Sequence, residues 1–184
     1  MDPLGGAPSD TGGAGRGGLV TLPEPVGAPY RIAFVCLGNI CRSPMASVIL
    51  GELVASAGLA DKVEVASCGT GSWHVGEPMD SRAAEQLKAA GYDASAHRAR
   101  TYDPTWLEND LVLAMDAQNL ADITEGRGSD DRVRMFRSFD PLADPDDLDV
   151  PDPFYAGEES FVRVLGIVER TCRQILTELQ ALDL

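Results

Sequence analysis

Apolar positions along this chain switch between a helical spacing and short unbroken runs. Ile32-Ala33-Phe34-Val35 is an apolar, β-favouring run, and it predicts a strand over 31–36. Met45, Val48, Ile49, Leu53 and Val54 then recur on one side of a helix predicted over 44–57, with Ser43 placed to cap it, Pro44 at its first helical position and Gly58 to end it. Val63 to Ser67 reads as a second strand, followed by a Gly-rich loop over 69–78. A helix is predicted from Ser81 to Ala90, closed by Gly91, and a short one over 104–108. Leu111 to Met115 reads as a buried strand, 116–124 as a helix with Asp116 at its N-cap, and 132–136 as the last strand. An acidic, Pro-rich loop covers 138–154. A long amphipathic helix over 160–181 carries Phe161, Val164, Leu165, Val168, Cys172, Ile175, Leu176 and Leu179.

Strands alternating with helices imply right-handed crossovers and a parallel sheet. The expected fold is therefore α/β: a small doubly wound, four-stranded parallel sheet with helices on both faces, in one domain over 30–184. No internal repeat interrupts it. Residues 1–29 are rich in Gly, Pro and Ala and hold few large apolar groups. Such a stretch buries too little surface to offset its ordering entropy and is expected to be a flexible leader.

The chemistry concentrates in Val35-Cys36-Leu37-Gly38-Asn39-Ile40-Cys41-Arg42-Ser43-Pro44, between the first strand and the first helix. Backbone N–H groups in a turn of this kind point inward, and the helix dipole adds partial positive charge, so the turn is an oxyanion cradle. It lacks the Gly-Lys-Ser/Thr ending of a nucleotide-binding loop. Instead it begins with Cys36 and ends with Arg42. A thiolate there is stabilised by the N–H groups, the dipole and the guanidinium. Arg42 offers a planar fork to two phosphoryl oxygens, and the Ser43 hydroxyl is placed to donate to the Cys36 sulfur and help it leave. A bare Cys-x5-Arg is weak evidence; the strand before it and the Ser-Pro after it give it weight. Ligands of doubly wound sheets bind beyond the carboxyl ends of the strands, which is where the first strand puts Cys36.

A formal net charge of −14 argues against a general nucleic-acid binder and makes the cradle a local positive feature on an acidic body. Four cysteines, at 36, 41, 68 and 172, match neither a zinc ribbon nor a dense disulfide framework, and reduced thiols in a cytoplasmic protein are expected. No apolar run reaches bilayer length and no secretory signal is read at the start, although signal-independent export is an alternative. Arg (13) far exceeds Lys (2), a bias that hints at a GC-rich bacterial genome.

The decapeptide 35–44 resembles the phosphate-binding loop of the low-molecular-weight protein tyrosine phosphatases of bacterial type, nearly letter for letter. The likeness extends to Gly-Thr-Gly-Ser-Trp-His-Val-Gly (69–76), Ala-His-Arg-Ala-Arg (96–100), Ala-Met-Asp (114–116) and Asp-Pro-Phe-Tyr (152–155), so it runs from about Tyr30 to the C-terminus. It implies a metal-independent, cofactor-free hydrolase of phosphotyrosine and aryl phosphates. Cys36 attacks phosphorus to form a phosphocysteine, Arg42 and the backbone of Leu37, Gly38, Asn39, Ile40, Cys41 and Ser43 hold the phosphoryl group, and an acid protonates the leaving phenolate. The implied partners are tyrosine-phosphorylated proteins, with no nucleic acid and no membrane, and the protein is expected to be a monomer or weak dimer.

On residues alone, Asp152 is a candidate acid because Pro151 and Pro153 stiffen it beside aromatics, or else one more solvated Asp among 140, 144, 146, 147 and 149. The resemblance assigns it the acid role. Trp73, Phe154 and Tyr155 are expected to wall a slot for a phenyl ring, with a core plug as the alternative for Trp73. Family members often carry Tyr-Tyr after Asp-Pro; here Phe154 takes the first place and Tyr155 remains. Asn39 suits left-handed backbone and is expected to hold the loop in shape. The resemblance gives His97 a supporting hydrogen bond. Asp116 either caps its helix or contacts the cradle. Cys41 is either a small apolar filler or the partner of a reversible disulfide with Cys36. Rival readings are an arsenate reductase-like thiol enzyme, disfavoured because no cysteine lies between 68 and 172, a non-catalytic phosphotyrosine-binding module, and a phosphocysteine carrier of sugar-transport type.

Overall fold

The computed structural model describes residues 20–184. The first strand, β1 (Tyr30–Cys36), leads through the 36–42 loop into α1 (Arg42–Ser56). There follow β2 (Val63–Gly69), α2 (Ser81–Ala89), a 3-10 turn at Pro104–Glu108, β3 (Leu111–Ala114), α3 (Ala117–Thr124), β4 (Val133–Met135), a second 3-10 turn at Phe136–Phe139, and α4 (Glu158–Ala181). The strands form one parallel sheet in the order β2-β1-β3-β4. Cys36 pairs with Gly69 and Val35 with Ala114, so the carboxyl ends of the three strands finish at one rim. The strand order switches sides at β1, with β2 laid on one edge of it and β3 on the other, which opens a crevice at that rim.

Alternation along β1 divides the core between the two faces of the sheet. Ile32, Phe34 and Cys36 join the larger cluster, beneath Met45, Ile49 and Leu50 of α1 and Phe161, Val164, Val168 and Ile175 of α4. Ala33 and Val35 join the smaller one, with Cys68, Val112, Ala114 and Ile123 of α3. Phe34 meets Phe136 edge-on at 5.6 Å. Full burial of such side chains stabilises the fold by about 1.5–3 kcal/mol each, which fixes the sheet and hence the rim.

Two expectations are corrected. First, α1 starts at Arg42, not at Pro44, and Cys41 is its N-cap without a side-chain bond. The first intrahelical bond runs from the Met45 N–H to the Cys41 carbonyl at 3.2 Å. Ser43 therefore lies inside the first turn and its hydroxyl is occupied elsewhere, while Pro44 stays in the turn where a missing N–H costs nothing. Second, packed structure reaches back before Tyr30. Leu22 is buried and Val20 packs beside it, the Tyr30 hydroxyl donates to the Pro23 carbonyl at 3.1 Å, and buried Asp110 accepts from the Val26 and Arg31 N–H groups at 2.7 Å each. The apolar pair Val20 and Leu22 is too short to show as a periodic pattern. Residues 1–19 of the expected leader lie outside the described residues.

Candidate active site

The 36–42 loop closes on itself around the Cys36 sulfur. The Asn39 N–H donates to Sγ at 3.3 Å, and the Ser43 hydroxyl lies 2.9 Å from the same atom. Asn39 is the one non-glycine residue with positive φ among those described, at 55°, a conformation its short amide tolerates. Its side chain donates to Ser43 Oγ and to Ser67 Oγ, both at 2.9 Å, and accepts from the Arg100 N–H at 2.8 Å. The His97 imidazole, through Nε2, meets the Asn39 carbonyl at 2.8 Å. Asn39 and Ser43 are both fully buried, so their side chains brace the loop from beneath rather than face the cleft. Burial lowers the proton affinity of His97, partly offset by its bond to the Asn39 carbonyl.

Gly69 explains how the loop sits so close to the sheet. A Cβ there would lie 2.6 Å from the Leu37 carbonyl oxygen and 2.9 Å from the Asn39 nitrogen. Gly71 plays a similar part for Trp73, whose indole rests where a Cβ would stand.

Arg42 is the buried cation of the site, 2 % exposed. Nη1 donates to Asp116 Oδ2 at 2.6 Å and to the Val150 carbonyl at 3.1 Å, and Nη2 donates to Asp152 Oδ2 at 3.2 Å. Burial alone would lower the proton affinity of the guanidinium; Cys36, Asp116 and Asp152 outweigh it and raise it, so the positive charge is secure. Asp116 does both things expected of it as alternatives. Oδ1 accepts from the Asn119 N–H at 2.7 Å as the N-cap of α3, and Oδ2 holds Arg42.

The loop floors a cleft of about 410 Å³, walled by Cys36, Leu37, Gly38, Ile40, Cys41, Arg42, Trp73, His74, Asp152, Phe154 and Tyr155. Trp73 is 69 % and Tyr155 96 % exposed, so Trp73 is displayed at the mouth and does not plug the core. Phe154 and Tyr155 meet edge-on at 4.8 Å. All four cysteines are free thiols. Burial first, then the Asp80 carboxylate and the Cys36 sulfur, push the Cys41 thiol up. Burial likewise pushes up Cys68 and Cys172.

His74 was not singled out from the sequence, yet it forms part of the wall. Its Nδ1 meets Glu77 Oε2 at 2.6 Å, its ring centroid lies 6.3 Å from that of Phe154, and its Cδ2 sits against Gly38. Ser67 and the Val150 carbonyl were missed as well. A position next to Trp73 in a Gly-rich loop was the available signal for His74. Nothing local marks Ser67, which reaches Asn39 only through strand pairing.

An α/β domain with a thiol at the base of an anion cradle, an arginine beside it and a carboxylate at its mouth is the architecture of cysteine-dependent phosphatases. The model of the low molecular weight phosphotyrosine protein phosphatase family matches residues 31–183, and the chain belongs to that family. It is 43 % identical over 153 residues to a low molecular weight protein-tyrosine-phosphatase of Streptomyces coelicolor, covering 80 % of this chain and 92 % of that one. It is 43 % identical over 141 residues to low molecular weight protein-tyrosine phosphatase A of Mycobacterium tuberculosis, covering 77 % and 86 %. The crystal structure of YfkJ from Bacillus subtilis superposes with a TM-score of 0.76 at 34 % identity, covering 85 % of this chain and 98 % of that chain.

Proposed function

We propose that the protein is a protein-tyrosine phosphatase that hydrolyses phosphotyrosine and aryl phosphates through a phosphocysteine on Cys36. Cys36 Sγ attacks phosphorus in line with the phenolic oxygen. Arg42 and the N–H groups of the loop take up the charge on the equatorial oxygens. Asp152 gives its proton to the departing phenolate, then takes one from the water that frees phosphate. Ser43, 2.9 Å from Sγ, hydrogen-bonds the thiolate and makes it a better leaving group in the second step. Trp73, Phe154 and Tyr155 accept the flat face of the phenyl ring.

The observation that carries this reading is the approach of Asp152, 110 positions along the chain, to within 3.2 Å of Arg42 at the cleft that Cys36 floors. The arsenate reductase-like alternative gains nothing from the fold, since Cys68 and Cys172 are both fully buried. Catalysis is assigned to the domain over 30–184, with tyrosine-phosphorylated proteins as substrates of a cytoplasmic monomer or weak dimer. Among the described residues no helix is long and apolar enough to cross a membrane. The test is phosphate release from phosphotyrosine and phosphoserine peptides. Only the phosphotyrosine peptide should turn over, and Cys36→Ser should abolish turnover while still binding phosphate. Turnover surviving in Cys36→Ser would rule out the covalent route.

A further inference from the structure

Outside the cradle, one continuous set of contacts joins the 36–42 loop to the loop that carries Asp152, and it passes through Arg82. The Asp80 N–H donates to the Ile40 carbonyl at 2.9 Å, which fastens the start of α2 to the 36–42 loop. The Asp80 carboxylate, nearly buried, accepts three bonds from Arg82. Oδ1 takes the backbone N–H at 2.9 Å and Nε at 3.0 Å, and Oδ2 takes Nη2 at 2.8 Å. This fork leaves the guanidinium one orientation. Its Cζ then lies 5.5 Å from the centroid of Phe154 and 4.6 Å from that of Phe161, which is wholly buried in α4. Phe154 in turn donates its N–H to Asp152 Oδ1 at 3.2 Å. Phe154 also packs on the edge of the main core cluster and meets the rings of His74 and Tyr155, the latter almost fully exposed.

We infer that Arg82, oriented by Asp80, is a positioning residue for the proposed acid: it bridges Phe154 to Phe161 and so sets where Asp152 sits relative to Cys36. The inference rests on the acid role proposed for Asp152. A cation over an aromatic face is attractive yet lets the ring slide. The contact thus fixes the height of Phe154 above α4 while the loop keeps freedom along it. Lysine would keep the charge over the ring but lose the fork to Asp80.

The consequence is specific to leaving group. A misplaced acid lowers kcat/KM, which reads only the steps up to phosphocysteine formation, for esters whose phenolate needs a proton and leaves it nearly unchanged for esters of strongly acidic phenols. The experiment compares wild type, Arg82→Met, Arg82→Lys and Asp152→Asn on phenyl phosphate and on 2,4-dinitrophenyl phosphate, with inhibition by inorganic phosphate as a readout of the cradle. Arg82→Met should lower kcat/KM on phenyl phosphate about tenfold, change kcat/KM on the dinitrophenyl ester less than about twofold, and leave phosphate inhibition alone. Arg82→Lys should recover part of the loss. Equal losses on both esters, a weakened phosphate inhibition, or no loss at all would each overturn the inference while the Asp152→Asn control still shows its own leaving-group dependence. If Asp152→Asn shows none, the acid assignment itself fails and takes the inference with it. Circular dichroism and Tm of each variant separate these outcomes from unfolding.

Discussion

His97 supports Asn39 from outside the loop, with Nε2 set 2.8 Å from the carbonyl oxygen of a residue held at φ 55°. The bond ties the left-handed residue, and through it the peptide that donates to the Cys36 sulfur, to a segment 58 positions away. The bend in the loop is thus held by tertiary contacts, since local preference alone would not keep it there.

Asn39→Ala removes three side-chain bonds and leaves Ser43, Ser67 and the Arg100 N–H short of a partner in a buried setting. With the added left-handed strain, the expected loss is about 2–4 kcal/mol in urea unfolding. Asn39→Gly relieves the strain but not the lost bonds and should fall between the two.

Because burial lowers the proton affinity of His97, the folded protein binds that proton less readily than the unfolded chain does. The stability this contributes is fully present above the ordinary imidazole value of 6.5 and declines as pH falls through the lower folded value. An NMR titration should place the His97 transition below 6.5. In His97→Gln the corresponding slope of stability against pH should vanish.

Gly69→Ala tests the closeness of loop and sheet. Its Cβ would meet the backbone of Leu37 and Asn39 at 2.6 and 2.9 Å, and neither atom is the free end of a side chain. The expected cost is about 1–3 kcal/mol, with a larger fall in kcat than the lost stability explains, because the atoms displaced are those of the cradle. Melting curves and initial rates on the same sample check both.

Asp140 anchors the far end of the loop that bears Asp152. It accepts from Arg170 at 2.6 and 2.8 Å, from Arg137 at 3.2 Å and from the Leu142 N–H at 3.0 Å. Burial would raise its carboxyl; Arg170, the Leu142 N–H and Arg137 outweigh that and hold it below the ordinary 3.8. Its stabilisation is therefore present above that value and lost as pH falls through the lower folded one. Arg170 is partly exposed, so Asp140→Ala should cost about 2–3 kcal/mol, below the range for a fully buried pair.

The parts of this site that lie close together in sequence were legible there: Cys36 through Ser43, the strand before them and the helix after. The sheet followed from alternation, because buried parallel strands leave unbroken apolar runs such as 32–35 and 111–115. Asp152 stood out between two prolines beside aromatics, but only the family resemblance chose it over the other acids of its loop, since its meeting with Arg42 is made by tertiary packing. Ser43 was misread as a cap because its hydroxyl has a better use inside the loop, 2.9 Å from Cys36 Sγ. Arg82 and His74 were illegible for a similar reason. Their meaning lies in Phe154, some seventy to eighty positions downstream.

The most direct measurement is rapid acid quench of the protein turning over an aryl phosphate, followed by mass spectrometry of the peptide that contains residues 36–42. The account predicts a phosphoryl group on Cys36, formed within one turnover, more abundant in Asp152→Asn with the activated ester because its hydrolysis lacks a base. An unmodified Cys36 in an enzyme that still releases phosphate at full rate would contradict it.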